Sequence, residues 1–247
     1  MTTISVVTAV WNRATTIADA IESVASQDYP DVKHVVQDGG STDGTLDVIA
    51  RVAGPRVSLE SARDGGIYDG INKGLTRATG DIVGLMHSDD LFAGPHILGR
   101  VAEALEDPEI DGVYGDLDYV SAGDTTRVIR KWRSGAYDAR LLHRGWMPPH
   151  PTLYLRRAVF DRWGMYDTSF RIAADYDAML RYLVKGRVRL AYVPEVFVRM
   201  RMGGESNRSL RKMIEKSRED YRAIRTNGVG GMGTLALKNL SKIQQFF

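Results

Sequence analysis

Residues 32–52 read VKHVVQDGGSTDGTLDVIARV. A run rich in β-branched residues, Val32 to Gln37, is followed by a glycine-rich loop and then by apolar side chains at helical spacing from Leu46 to Val52. This order predicts a strand, a loop and a helix. The predicted strand ends at Asp38, which places a carboxylate at the start of the loop.

The same strand, loop and helix unit recurs through the first half of the chain. Further strands are predicted at residues 4–8, 57–60, 81–86 and from 112, and helices at 17–25, 68–78 and 95–105. Strands that alternate with helices of this length are typical of an α/β fold with a doubly wound, mainly parallel sheet. After Asp116 the pattern is less regular. It predicts a helix near 175–185, strands near 188–193 and 196–200, and a helical stretch from Ser206.

Polar clusters follow three of these strands, at residues 38–44, 63–66 and 87–90. Because ligands of such sheets bind at the carboxyl ends of the strands, we expect these loops to share one rim. Loop 38–44 lacks both the GxGxxG spacing and the Lys-Ser/Thr of a P-loop, so neither a dinucleotide site nor an NTP-hydrolase site is predicted. A turn leading to a helix N-cap at Ser41, Thr42 or Asp43 is the alternative explanation of this loop.

The segment His87 to Asp90 directly follows the apolar strand predicted at residues 81–86, and it ends in two adjacent acids, Asp89 and Asp90. Adjacent carboxylates repel each other unless a cation or hydrogen-bond donors share their field. Mg²⁺ or Mn²⁺ takes one or two protein carboxylates and fills its other positions with phosphate oxygens and water. A β-turn or a cap of the helix near Pro95 is the alternative.

Composition is that of an ordinary globular protein, with 247 residues of which 43% are apolar and 26% charged. The chain has no cysteine, which excludes disulfides, Cys-ligated zinc and thiol catalysis. The N-terminal segment lacks the pattern of a secretion signal, and no run approaches the ~18 apolar residues of a spanning helix. We therefore expect a cytoplasmic protein.

Five motifs occur in order along the chain: SVVTAVWNR, QDGGSTDGT, ARDGGIYDGINKG, ATGDIVGLMHSDD and RIAADYD. Together they resemble the inverting glycosyltransferases of family 2, over roughly residues 3–205. The resemblance implies a GT-A-like fold with a Rossmann-like nucleotide-sugar half at about 1–115, an acceptor half at about 116–205 and a tail at 206–247. Because the chain lacks the QxxRW element and the membrane helices of processive synthases, the resemblance implies single sugar addition.

The resemblance also implies roles for particular residues. The acid at the position of Asp38 contacts the nucleotide base, and the acid at the position of Asp90 binds Mn²⁺ or Mg²⁺. The first position of the DxD-like element is Ser88, which leaves Asp90 as the metal ligand. Donor binding is assigned to Thr8, Asp38, Arg63, Asp64 and Asp89.

The element Ala173 to Asp177 corresponds to the motif whose acid is the general base in that family. Asp175 and Asp177 lie two residues apart, so on a helix they point to nearly opposite sides and only one can face the sugar. The motif alignment favours Asp175. A plain helix N-cap is the alternative explanation.

The expected reaction is transfer of a sugar from a nucleotide sugar to a hydroxyl of a lipid-linked or cell-surface polysaccharide precursor. A UDP-sugar is the favoured donor, with GDP- and dTDP-sugars as alternatives, and no nucleic-acid partner is expected. A nucleotidyltransferase would need a Gly-rich basic signature, which residues 8–13 do not supply. The other rival is a non-catalytic carbohydrate-binding or scaffold protein, against which the presence of Asp38, Asp90 and Asp175 argues.

The C-terminal stretch is basic from Ser206 and becomes apolar after Gly228 to Gly233. This pattern fits a helix at an anionic membrane surface, and it fits equally a helix packed on the catalytic domain or on a second subunit. His150, in the rigid turn MPPHP, and the loop from Gly203 to Ser206 each have a structural and a functional explanation. The loop is similar to one that closes over the donor in related enzymes.

Overall fold

The computed structural model describes residues 2–202 and 210–241. Through the first half of the chain, strands and helices alternate as the sequence predicts, and the two-residue strand β5 is the one addition. The elements are β1 (Ile4–Val10), α1 (Ile17–Ala25), β2 (Val32–Asp38), α2 (Thr45–Val52), β3 (Val57–Ser61), α3 (Ile67–Arg77), β4 (Ile82–Leu85), β5 (Leu91–Phe92), α4 (Ile97–Ala104) and β6 (Gly112–Val120).

Strands β3, β2, β1 and β4 form the parallel part of the sheet, in that order. Val10 lies in register with Asp38, and Asp38 with Ser61, so three strands end at one edge. Helices α1 and α2 pack on one face of the sheet and α3 packs on the other. This doubly wound arrangement confirms the predicted α/β fold and brings the polar loops to a common rim.

The second half extends this sheet with mixed pairing. Its elements are β7 (Val128–Trp132), α5 (Ala139–Leu142), a 3₁₀ turn (His150–Thr152), β8 (Tyr154–Arg156), α6 (Arg157–Trp163), α7 (Ala174–Leu180), a π-helical continuation of α7 (Arg181–Lys185) and β9 (Leu190–Arg201). Strand β8 lies antiparallel between β4 and β6, and β9 runs parallel to β6. Strands β5 and β7 pair antiparallel with β9 and β6.

The prediction of two strands near 188–193 and 196–200 is wrong, because β9 is continuous. Its pairing with β6 changes register in the middle: Tyr114 faces Tyr192, whereas Asp116 faces Val196. Pro194 has no N–H to donate to the sheet, so the strand bulges past it and continues.

Helices α8 (Leu210–Thr226) and α9 (Met232–Ser241) follow. Ala223, Ile224, Val229 and Leu235 are buried in the same core as Met179 of α7. One side of the C-terminal helices is therefore packed on the rest of the fold. The division of the chain at residue 205 lies in the undescribed segment 203–209 and stays a prediction. Among the residues described, none of the helices combines the length and the apolar character needed to span a bilayer.

Candidate active site

Asp38 ends β2 with its side chain fully buried. Its Oδ2 accepts hydrogen bonds from Gly40 N (3.0 Å) and Ser61 Oγ (2.6 Å), and its Oδ1 accepts one from the Ser41 hydroxyl. Burial alone would raise the pKa of this carboxyl, but the hydrogen bonds from Ser41, Ser61 and the backbone bring it below its ordinary value. Asp38 is therefore an ionised carboxylate that organises its own loop, and contact with a nucleobase requires exchange of one of these bonds.

The loop after Asp38 is attached to the segment that follows β1. Asn12 N donates to Ser41 Oγ (2.8 Å), and Thr42 N donates to Asn12 Oδ1 (2.9 Å). Asp43 Oδ1 accepts from Thr45 N (3.0 Å), the first residue of α2. The N-cap of α2 is Gly44, so the alternative that Ser41, Thr42 or Asp43 caps this helix is wrong; Asp43 bonds Thr45 N from the position before the cap.

Asp64 approaches the same loop from the other side. A Cβ atom at Gly39 would lie 2.4 Å from Asp64 Oδ2, and one at Gly70 would lie 2.8 Å from it. A side chain at either position would therefore displace the Asp64 carboxylate from the loop. Arg63 is exposed on the Asp64 loop. The two loops predicted to bind the nucleotide therefore meet at the edge of the sheet.

Thr8 is fully buried within β1. Its hydroxyl donates to Met86 O (2.7 Å) and lies 2.9 Å from His34 Nε2. Because the hydroxyl proton is used on the carbonyl, His34 Nε2 is the donor in the second bond. The Thr8 side chain thus joins neighbouring strands, and the structure does not bring it to the surface of the cleft.

Asp90 is buried behind the more exposed Asp89. Its Oδ1 accepts from Arg201 N (3.2 Å), and within the described residues its Oδ2 has no hydrogen-bond partner. Burial and the charge of Asp89 raise the pKa of the Asp90 carboxyl well above its ordinary value. Arg201 also donates to Asp89 O (2.9 Å) and pairs with Asp19, so this arginine of β9 braces the acidic loop. The sequence motifs gave no indication of Arg201.

The unpartnered oxygen of Asp90 fits a divalent cation, since a buried polar atom without a partner is uncommon in a folded protein. In residues 2–202 and 210–241, no three His, Cys, Asp or Glu side chains form a group able to hold an ion by themselves. A cation here would have one or two carboxylate ligands and would take its other ligands from phosphate oxygens and water. Mg²⁺ is commonly bound in this way.

The two acids of α7 have different neighbours. Asp175 is half-buried, and its Oδ1 lies 3.2 Å from the Tyr68 hydroxyl. Asp177 is buried and accepts from Asn227 Nδ2 (2.9 Å). Burial lowers the pKa of His87, and the charges of Asp89 and Asp175 both oppose this shift. The His87 and His150 rings lie 5.9 Å apart, and the charge of Asp175 acts on both, so Asp175 lies near the acidic loop 87–90.

Aromatic and imidazole rings surround Asp175. The Tyr68 and Tyr166 rings stack with centroids 5.8 Å apart, and the Tyr166 hydroxyl lies 2.7 Å from His150 Nε2. Burial lowers the pKa of His150 to about 4, so its ring is neutral at pH 7. The turn MPPHP was the only sequence signal for His150. Tyr68 lies within the motif ARDGGIYDGINKG but was given no role there, and Tyr166 lies in none of the five motifs, so sequence reasoning missed both.

A family model described as Glycosyl transferase family 2 matches residues 5–173, more than half of the chain. The chain belongs to glycosyltransferase family 2. A PGL/p-HBAD biosynthesis glycosyltransferase of Mycobacterium tuberculosis H37Rv is 33% identical over 182 residues, which cover 72% of this chain and 68% of that protein. An uncharacterized glycosyltransferase of the same strain is 31% identical over 190 residues, with the same coverage.

Solved structures resemble this family 2 chain in fold. S. aureus TarS 1–349 in complex with UDP-GlcNAc has a TM-score of 0.71 at 19% identity, covering 92% of this chain and 66% of that one. A mannosyltransferase from Pyrobaculum calidifontis in complex with GDP-Man and Mn²⁺ has a TM-score of 0.69 at 20% identity, covering 99% and 72%. The chain spans only 39% of a longer TarS chain. The family 2 glycosyltransferase therefore has a GT-A-like α/β fold.

Proposed function

We propose that this family 2 glycosyltransferase is a metal-dependent, inverting enzyme that transfers one sugar from a nucleoside-diphosphate sugar to a hydroxyl. The observation that carries the proposal is the common surroundings of Asp90 and Asp175. Asp90 is a buried acid with an unpartnered oxygen. Asp175 lies near His87 of the same loop, since the His87 ring is 5.9 Å from the His150 ring and the charge of Asp175 acts on both rings. A binding or scaffold protein has no use for a buried, unpartnered carboxylate, because such a group destabilises the fold.

In the proposed reaction Asp175 is the general base. Its carboxylate accepts the proton of the acceptor hydroxyl while that oxygen forms a bond to the anomeric carbon. The bond from the anomeric carbon to the diphosphate oxygen breaks on the opposite face, and its electron pair leaves with the nucleoside diphosphate. The configuration inverts without a covalent sugar-enzyme intermediate. The Tyr68 hydroxyl lies beside the base, 3.2 Å from Asp175 Oδ1.

Asp90 is proposed to hold Mn²⁺ or Mg²⁺, with Asp89 beside it near the ribose. When bound, such an ion offsets the negative charge that develops on the departing diphosphate. Arg201 keeps the acidic loop in place through its backbone and guanidinium bonds. The Mn²⁺ in the mannosyltransferase structure of similar fold supports this assignment.

The donor is proposed to be a UDP-sugar, with its nucleoside at the edge formed by Asp38, Arg63 and Asp64. The TarS complex with UDP-GlcNAc supports a uridine nucleotide, and the GDP-Man complex keeps a guanosine nucleotide as the alternative. A panel of UDP-, GDP- and dTDP-sugars tests the proposal, with released nucleoside diphosphate as the measurement. We expect release from one nucleotide class, and only with Mn²⁺ or Mg²⁺. No release from any donor, with no thermal stabilisation by UDP and Mn²⁺, would favour a non-catalytic protein.

The acceptor is proposed to be lipid-linked or a cell-surface polysaccharide precursor, reached at an anionic membrane surface. Helices α8 and α9 expose a set of apolar side chains, here named the apolar patch: Met213, Ile214, Met232, Leu237 and Leu240. Part of it lines a groove of about 440 Å³. Basic residues of α8 lie beside it: Lys212, Lys216 and Arg218. Apolar side chains next to basic ones suit an interface with anionic lipid. The terminal aromatics Phe246 and Phe247 lie outside the described residues.

A further inference from the structure

Glu219 of α8 binds the backbone just ahead of the helix that carries Asp175. Its Oε1 accepts from Arg171 N (2.8 Å), and its Oε2 accepts from Ile172 N (2.8 Å) and Ala173 N (2.9 Å). The N–H groups at the start of a helix have no partner within the helix. Ala173 stands at the N-cap position of α7 and has no side chain that could cap it. A carboxylate from a distant helix therefore binds the N–H of the N-cap residue and the two N–H groups before it, and so holds the segment that leads into α7.

The same segment is held from the opposite side by α3. The Tyr68 hydroxyl donates to Ile172 O (2.7 Å) and lies 3.2 Å from Asp175 Oδ1. The N–H of Ile172 is thus bonded to Glu219, and its C=O is bonded to Tyr68. Because the peptide groups on both sides of this residue are held, the direction in which the chain enters α7 is set by two helices that are distant in sequence.

The residues after Asp175 are also held by the C-terminal helices. Asp177 accepts from Asn227 Nδ2 (2.9 Å). Lys238 Nζ lies 2.7 Å from Asp220 Oδ1 and 3.1 Å from the centre of the Tyr176 ring, and both partners of the ion pair are buried. Contacts from α8 and α9 therefore reach Tyr176 and Asp177, the two residues that follow the proposed base. Glu219 holds the segment that precedes it.

We propose that Glu219 is a positioning residue for Asp175, and that α8 belongs to the catalytic apparatus although it lies beyond the matched residues 5–173. The inference rests on the proposed role of Asp175 as the base. Glu219 does not touch the substrate in this account. It acts by keeping the Asp175 carboxylate where an acceptor hydroxyl can reach it, and misplacement of a reacting group by about 1 Å can cost on the order of 10²-fold in rate.

The test compares Glu219→Gln with Glu215→Gln, one turn earlier on the same helix. Gln keeps the size of the side chain but replaces one accepting oxygen with an amide that cannot accept. The measurements are turnover of the most active donor in the panel, KM for that donor, and UDP affinity with Mn²⁺ by calorimetry. We expect Glu219→Gln to lower kcat by roughly tenfold or more with KM and UDP affinity within twofold of the wild type. Glu215→Gln should match the wild type.

Two further variants separate positioning from general damage to the fold. Glu219→Asp keeps a carboxylate and should recover part of the lost kcat, which also provides a readout if Glu219→Gln does not fold. In the Asp175→Asn background, Glu219→Gln should cause no additional loss, because a positioning residue acts only through its target. Additive losses, or a parallel fall in UDP affinity, overturn the proposal. If Asp175→Asn itself keeps full activity, the proposed function fails. If Asp175→Asn is inactive and Glu219→Gln is fully active, only the positioning role is overturned.

Discussion

Asp175 and Asp177 share one turn of α7 but differ in access to the cleft. Asp177 is 5% exposed and bonded to Asn227, whereas Asp175 is half-buried beside the Tyr68 hydroxyl. A base that takes a proton from a substrate must be reachable, while a buried acid with an amide partner has a structural role. The surroundings of the two acids therefore lead to different expectations for their amide variants.

Asp175→Asn should lower transfer by ~10²-fold to 10⁴-fold, because the amide cannot accept the proton of the acceptor hydroxyl. UDP and Mn²⁺ should bind as they do to the wild type, since Asp175 acts on the acceptor. Asp177→Asn should keep most of the activity. It should lower the free energy of unfolding by about 1–3 kcal/mol, because Asn227 loses the charged carboxylate that accepts its hydrogen bond. Turnover, calorimetry and thermal melts check these outcomes. If Asp177 proves essential and Asp175 dispensable, the motif has been aligned to the wrong acid, and the base lies on the other face of the helix.

Asp90→Asn should lower kcat by at least ~10²-fold, and chelation with EDTA should silence the wild type. In metal-free protein the same variant should keep or raise Tm, because burial and Asp89 disfavour the charged form of Asp90. The shift in Tm that UDP and Mn²⁺ cause together should disappear. Asp89→Asn serves as the matched comparison at the more exposed acid. Full wild-type activity in EDTA would rule out the metal site.

The alternating half of the fold was predictable because each of its elements carries its own signal. Strand β2 is a run of β-branched residues, and α2 has apolar residues at helical spacing. Strand β8 has only three residues, Tyr154–Arg156, and forms because β4 and β6 are available on either side. Pairing with distant strands overrides local propensity in such cases, so a local sequence pattern could not reveal strand β8.

The acidic residues of the candidate site were predictable from the sequence, whereas the residues that contact them were not. Asp38, Asp64 and Asp90 follow strands, and the rule that ligands bind at strand ends placed them on one rim. The contact between Tyr68 and Asp175 joins residues 107 positions apart, and the bonds from Glu219 cross from a helix outside the recognised motifs. Such contacts depend on how α3, α7 and α8 pack, which spacing along the chain does not encode.

Stability should fall as the pH drops from about 6.5 to 4. Burial lowers the pKa of His34 from 6.5 to about 4, and that of His150 likewise. The unfolded chain therefore takes up these protons first, and stability present above pH 6.5 is lost as the pH falls, by about 3 kcal/mol for each histidine. His34→Gln should flatten this dependence, because it removes one of the two buried rings. Urea unfolding at several pH values checks the prediction, and identical curves for wild type and His34→Gln would contradict it.

The apolar patch should bind anionic membranes. Leu237 and Leu240 are 46% and 58% exposed, so replacing both with serine removes apolar surface without opening the core. Removing everything after residue 227 is a poorer test, because Lys238 pairs with Asp220 inside the protein. We expect the double variant to bind vesicles containing phosphatidylserine roughly tenfold less than the wild type, since each leucine loses its burial in the interface. Ile129→Ser, at a 50% exposed position on β7, is the control and should bind normally.

Sedimentation with vesicles should also depend on salt and on lipid charge. Wild-type binding should weaken as ionic strength rises and should be absent with neutral phosphatidylcholine, because each nearby Lys or Arg contributes ~1 kcal/mol only at an anionic surface. Turnover of soluble donor should be the same in the wild type and the double variant, since Leu237 and Leu240 are exposed and have no role in the proposed mechanism. If the wild type stays in the supernatant with anionic vesicles at low salt, the membrane proposal fails. If the wild type is then found to be dimeric in solution and the double variant monomeric, the patch is a contact between two copies of this chain.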